Sequence, residues 1–179
     1  MSKARVVIIG CDTYADDQVL TAVGKGVDML GGISVFAKPG ESIVMKPNIL
    51  IGTDPDKHVT THPAVFEAMG RLLKDTGADV LYGDSPSFGK AEPNLRKSGI
   101  KQAGDELGFA VADFDSGRSV SHKDALLVKK FTIANGVLDS DGLVSLPKFK
   151  THGLVRFTGA VKNQFGCIPG LMKSQYHVK

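Results

Sequence analysis

Residues 142–170, GLVSLPKFKTHGLVRFTGAVKNQFGCIPG, decide how the chain is read. Gly142 to Leu146 is a short apolar run that fits a strand. Pro147 ends it, so Lys148, Phe149, Lys150, Thr151 and His152 leave the strand's carboxyl end in a loop. If that loop starts extended, alternation puts Lys148 and Lys150 on one side and Phe149 on the other. Thr158 to Gly166 reads as a short helix whose free N–H groups and positive dipole end face the same patch, with Lys162 and Asn163 in its first turns. Thr151-His152-Gly153 and Thr158-Gly159 set hydroxyls, an imidazole and glycines among the charges, a composition suited to close approach by a ligand. The competing reading of any one of these lysines is a plainly solvated side chain.

Outside this stretch the balance of charge changes sign. Residues 142–179 hold five Lys, one Arg and no Asp or Glu, yet the chain carries a formal charge of only +3, so residues 1–141 are net acidic. A length of 179 residues with 42% apolar and 23% charged content fits one soluble globular domain. No run approaches the ~20 apolar residues of a membrane span. The apolar run in MSKARVVIIG is too short for a signal peptide, and a cytoplasmic location with no membrane partner is expected. Cys11 and Cys167 form no CxxC pair, which argues against zinc or an iron–sulfur cluster held by this chain alone. Both are expected to be reduced, a disulfide between them being the alternative. With 7% aromatics and no Trp, little supports nucleic acid as a partner.

Upstream, RVVIIG (5–10) has the continuous apolar character of a strand buried on both faces. Asp12 or Thr13 can cap a helix whose apolar positions run Val19, Leu20, Val23, Val27, Leu30 before Gly31-Gly32. Ser42 to Met45 is the next strand. Pro47 biases Lys46 toward extended geometry, and Asn48 starts a long polar loop to Thr61. A helix follows from Pro63, with a hydroxyl of Thr60 or Thr61 as cap and a stripe of Ala64, Val65, Ala68, Met69, Leu72 and Leu73. His62, at that helix's N-terminus, fits a general base or ligand, or a residue that only caps backbone groups. Ala78 to Tyr82 is a strand ending in Gly83-Asp84-Ser85-Pro86, where a carboxylate can hold a metal or a substrate group, or simply form a turn. A helix from Pro93 to Leu107 and a strand from Phe109 to Ala112 come next. Asp113 to Lys123 reads as polar loop, Leu126 to Ile133 as a further strand. The join to Gly142 is too short for a helical crossover, so one of the last two strands is expected to be antiparallel or at an edge.

This alternation predicts an α/β fold: a layered, mostly parallel sheet flanked by helices, whose strand carboxyl ends share one rim. The ordered motifs Lys46-Pro47-Asn48, Thr61-His62-Pro63, Gly83-Asp84-Ser85-Pro86, LPKFKTH (146–152) and TGAVKNQFG (158–166) resemble the DUF362 family of prokaryotic proteins. The resemblance implies a single domain over residues 1–179 that forms the N-terminal part of a longer architecture, in which a ferredoxin-like [4Fe-4S] domain often follows. It implies an association with iron–sulfur redox proteins and names no substrate.

Two functions are expected to compete. In the first, Lys46, Asn48, Ser85, Lys148, Lys150, Thr151, Lys162 and Asn163 bind a small carboxylate or phosphate ester. Asp84 then orients it or holds a metal ion, and His62 or His152 moves a proton. In the second, the basic surface docks an iron–sulfur partner protein, any [4Fe-4S] cluster being supplied by that partner or by a further domain, with Cys167 and His177 as outlying ligands. A homo-oligomer is the other partner to consider. An exposed apolar patch around Phe165, Ile168, Leu171 and Met172 would be the sign of a missing domain or a partner subunit.

Overall fold

The computed structural model describes residues 4–126, 128–153 and 155–176. In chain order the elements are α1 (Asp16–Met29), β1 (Ser42–Pro47), α2 (Pro63–Lys74), β2 (Asp79–Tyr82), α3 (Ala91–Lys97), α4 (Ile100–Leu107), β3 (Ala110–Val111), β4 (Gly117–Ser121), β5 (Lys130–Ala134), α5 (Asn135–Leu138), β6 (Gly142–Leu146), β7 (Lys150–His152), β8 (Arg156–Thr158), α6 (Ala160–Asn163) and α7 (Met172–Gln175). Five of the six residues of strand β1 are buried because a parallel sheet is covered on both faces. It pairs in parallel with β2 on one side and β6 on the other, and β3 completes the order β3-β2-β1-β6. The mixed α/β class and the parallel sheet expected from the sequence are both present, and β6 is one of its two edge strands.

Ile43, Val44 and Met45 of β1 join Phe66 and Leu73 of α2, Tyr82 of β2, Leu95 and Ile100 in one core. Each such side chain contributes on the order of 1.5–3 kcal/mol by leaving water. Tyr82 meets the Phe66 ring edge-on at 5.2 Å. A smaller cluster of Val19, Ala64 and Ala68, flanked by Leu20, Val23 and Val65, joins α1 to α2. The stripe read on α2 is therefore shared between two neighbours, and Phe66, outside the stripe, faces the main core.

Several sequence expectations are corrected. Residues 5–10 form no strand: Val6 and Ile8 are 82% and 91% exposed, and only Val7 and Ile9 turn toward α1. A run of branched apolar residues signals an extended segment, but only pairing makes it a strand, and no ladder reaches it among the described residues. α1 begins at Asp16, and Thr13 Oγ1 accepts from Ala15 N just upstream. α2 is capped by the imidazole of His62 in place of a hydroxyl. The helix expected from Pro93 is broken at Gly99, whose φ of +75° no helix interior accommodates, leaving α3 and α4. Residues 113–123 are not all loop, since β4 pairs antiparallel with β5 in a separate two-stranded sheet. β7 and β8 form a second antiparallel pair where the sequence suggested a loop.

Candidate functional site

The carboxyl ends of β1, β2 and β6 face one rim, as they must when the strands run parallel, and the sequence motifs emerge there. Lys46 is fully buried near the end of β1. Its ammonium lies 2.7 Å from Asp84 Oδ1 and donates to Asn163 Oδ1 at 3.1 Å and the Pro47 carbonyl at 3.4 Å. Asp84 uses its other oxygen to accept the Ile49 N–H at 2.8 Å. Both carboxylate oxygens are thus committed to the protein, an arrangement that neutralises Lys46 and fixes the loop after β1.

The remaining motif residues largely hold one another. Asn163 Nδ2 donates to the Lys46 carbonyl at 3.2 Å and to Ser145 Oγ at 2.9 Å, tying α6 across β1 and β6. Thr61 Oγ1 donates to the Leu146 carbonyl and accepts the Asn48 N–H at 2.8 Å. The Ser85 N–H reaches the Gly166 carbonyl at 3.2 Å, and Ser85 Oγ accepts the Gly170 N–H at 2.8 Å. Gly166 passes so close to the buried pair that a Cβ there would overlap Asp84 Oδ1 and Lys46 Nζ and lie 2.7 Å from Lys46 Cε. Only glycine lets the backbone approach so closely.

Above this frame is a cavity of about 320 Å³ lined by Lys46, Asn48, Asp84, Ser85, Lys150, Thr151, His152, Lys162 and Asn163. Nine of the eleven residues singled out in the sequence thus meet around one space. Lys150 donates to Asn48 Oδ1 and to the Val59 carbonyl, and Lys162 Nζ lies 4.4 Å from the centre of the Phe165 ring. Burial pushes Lys150 down to about 8, Asp84 opposing and Lys148 adding to that shift. Burial also lowers Lys162.

His62 and Lys148 stand apart from this cavity. The alternation along 148–152 holds, with Phe149 77% exposed and Lys148, Lys150 and His152 half-buried. Lys148, however, donates to Tyr14 Oη at 2.8 Å. The Tyr14 ring stacks on His62 at 3.8 Å, and His62 Nδ1 accepts the Ala64 N–H at 3.2 Å. Burial and then the Lys148 charge lower the pKa of His62, in the direction expected from its helix position.

The sequence reading missed Lys173 and Leu50. Lys173 lines the same cavity, donates to the Ser85 and Pro86 carbonyls, and is pushed down to about 8 by burial. It belongs to no motif; its only signal was membership of the cationic segment. Leu50 lines the cavity in the left-handed region at φ +55°, an uncommon conformation for a side chain of this kind. Nothing in its residue type announces that.

The donor set bears on the cofactors considered. Cluster ligation needs several thiolates, and among the described residues Cys11 lines a groove beside α1 while Cys167 is buried behind the rim, both free. Burial raises the Cys167 thiol pKa. His177 lies outside the described residues. No group of three or more His, Cys, Asp or Glu that could hold a metal ion occurs among the described residues, so they do not fit a cluster by themselves. Of the apolar residues at 165–172 whose joint exposure would mark an interface, Leu171 and Met172 are exposed, but Ile168 is buried.

Fold and site together define an α/β protein with a lysine-rich pocket at the rim of a parallel sheet. The chain belongs to the DUF362 family, described as "Domain of unknown function (DUF362)", which it matches over residues 43–179. It is 31% identical over 174 residues to the thylakoid-associated protein sll1697 of Synechocystis sp., covering 97% of this chain and 54% of that protein. The chain thus spans about half the length of this relative. No solved structure matches it. No helix among the described residues is long and apolar enough to cross a membrane.

Proposed function

We propose that this chain is an enzyme that binds a small carboxylate or phosphate ester in the rim cavity. The observation that carries this reading is a charge imbalance: Lys46, Lys150, Lys162 and Lys173 line the space with one carboxylate, Asp84, and that carboxylate is paired with Lys46. Three further ammonium groups line about 320 Å³ with no second acid among them, so an anion entering there gains Coulomb energy in a partly desolvated site. To His152, which lines the same wall, we assign the proton transfer. Asp84 acts by positioning Lys46.

The test is thermal unfolding with inorganic phosphate, malonate and the neutral malonamide, repeated on Lys150→Met and Lys173→Met. Stabilisation by the anions alone, reduced in both variants, is the expected result. Equal effects of malonate and malonamide, or full stabilisation in both variants, would overturn the reading. We place the activity in the cytoplasm. The relative's association with thylakoids suggests a membrane surface as the alternative, and fractionation separates the two.

A further inference from the structure

We propose that the β7–β8 hairpin lays its outer face on an anionic lipid surface. The two strands pair antiparallel, with Lys150 opposite Thr158, Thr151 opposite Phe157 and His152 opposite Arg156. Successive side chains of such a pair alternate between two faces. Lys150, His152 and Thr158 line the cavity. Phe157, and Phe149 just ahead of β7, belong to the other face: neither lines the cavity, and they are 64% and 77% exposed. Their rings meet at 5.8 Å with 47° between the planes, and Phe149 lies 3.4 Å from where a Cβ on Gly159 would stand. The rings thus form a fixed pair held on the hairpin.

An antiparallel pair in water ordinarily turns its apolar face to the core and its polar face to solvent. In this hairpin the order is inverted, with the ammonium and imidazole turned inward and the aromatic rings outward. Val155, in the turn between the strands, and Val161, in the first turn of α6, add apolar surface within a few residues, the latter 89% exposed. An apolar face that its own chain leaves open calls for a covering phase.

Charge and size decide what that phase is. Residues 142–179 hold five Lys and one Arg with no Asp or Glu. Arg156 is exposed next to Phe157, and Lys148 precedes Phe149. Rings beside cations match the boundary of a bilayer with anionic headgroups: the rings enter the acyl edge, and the long basic side chains reach the phosphates. Phe149, Phe157 and Val161 together expose on the order of 400 Å², about half of the ~800 Å² that each partner of a stable protein interface buries. That is too little to seat a second copy of the chain firmly, and it suits a reversible contact with lipid. A chain working in the cytoplasm then exchanges between solution and the membrane surface.

The chain contains no Trp, so Phe149→Trp places a single fluorescent reporter on the face. Its emission is read with vesicles of phosphatidylcholine alone and with about 30% phosphatidylglycerol, and the wild-type chain is co-sedimented with the same vesicles. A blue shift and pelleting with the anionic vesicles are expected. Binding at least about tenfold weaker is expected for phosphatidylcholine alone, and again for Phe149→Ser/Phe157→Ser on anionic vesicles. The Trp reporter keeps the result decisive even if the serine variant folds poorly. Unshifted emission, equal binding to the two vesicle types, or a well-folded serine variant that pellets like the wild type would overturn the lipid assignment and leave the anion cavity standing. A blue shift that follows protein concentration without vesicles would give the face to a second copy of the chain, and so overturn it too.

Discussion

Replacing Asp84 by Asn isolates the contact on which the rim is built. The substitution leaves the Lys46 ammonium fully buried with only neutral acceptors, Asn163 Oδ1 at 3.1 Å and the Pro47 carbonyl at 3.4 Å. Removing one partner of a buried ion pair costs about 3–5 kcal/mol because the other charge is left uncompensated. Domains of this size are stable by about 5–15 kcal/mol, so about a fifth of the total or more is at stake. With a urea dependence of about 2 kcal/mol per molar, the unfolding midpoint is expected to fall by roughly 2 M. The double variant Lys46→Met/Asp84→Asn removes the stranded charge, and it is expected to be at least about 1 kcal/mol more stable than Asp84→Asn alone. Urea unfolding followed by circular dichroism reads all the variants. A midpoint shift below about 0.5 M for Asp84→Asn, or a double variant whose loss equals the sum of the two single losses, would mean that the Lys46–Asp84 pair does not hold the rim together.

Four further outcomes follow from the same geometry. Gly166→Ala forces a methyl group against Lys46 and Asp84, and a loss of about 1–3 kcal/mol, seen as a lower urea midpoint, is expected. Anion affinity is expected to be full below pH 8 and to decline above it, because Lys150 and Lys173 lose their protons near 8 and an anion favours the charged forms; calorimetry at pH 6.5, 8 and 9.5 reads this. Without ligand the sign reverses: between about 8 and the ordinary lysine value of 10.5 the unfolded chain holds more protons, so these two lysines add stability as pH rises through that window. Lys148→Met, which removes a contact to Tyr14 outside the cavity, is expected to change malonate affinity less than about threefold, whereas Lys150→Met lowers it at least about tenfold in the same titration.

What was legible in the sequence divides along physical lines. β1, β2 and β6 were readable from their short apolar runs, Ile43 to Met45, Val80 to Tyr82 and Leu143-Val144, and their parallel order then brought Lys46, Asp84 and Lys150 to one rim. The same apolar signal misled at RVVIIG, where pairing was missing. Glycine conformation decided the break at Gly99, and the run of residue types did not disclose it. Within the site, alternation correctly separated Phe149 from its flanking lysines but could not say that Lys148 reaches Tyr14, a partner 134 positions away in the chain. Lys173 enters the cavity through the turn at Gly170, docked on Ser85, and only tertiary structure shows that contact.

The most direct measurement is a crystal soaked with tungstate, whose anomalous signal locates a bound anion without regard to the identity of the substrate. The expected result is one strong peak within the cavity, in hydrogen-bond reach of Lys150 or Lys173. A peak only at the Tyr14 and Lys148 surface, or none above the noise at saturating tungstate, would contradict the claim that the rim pocket is an anion site.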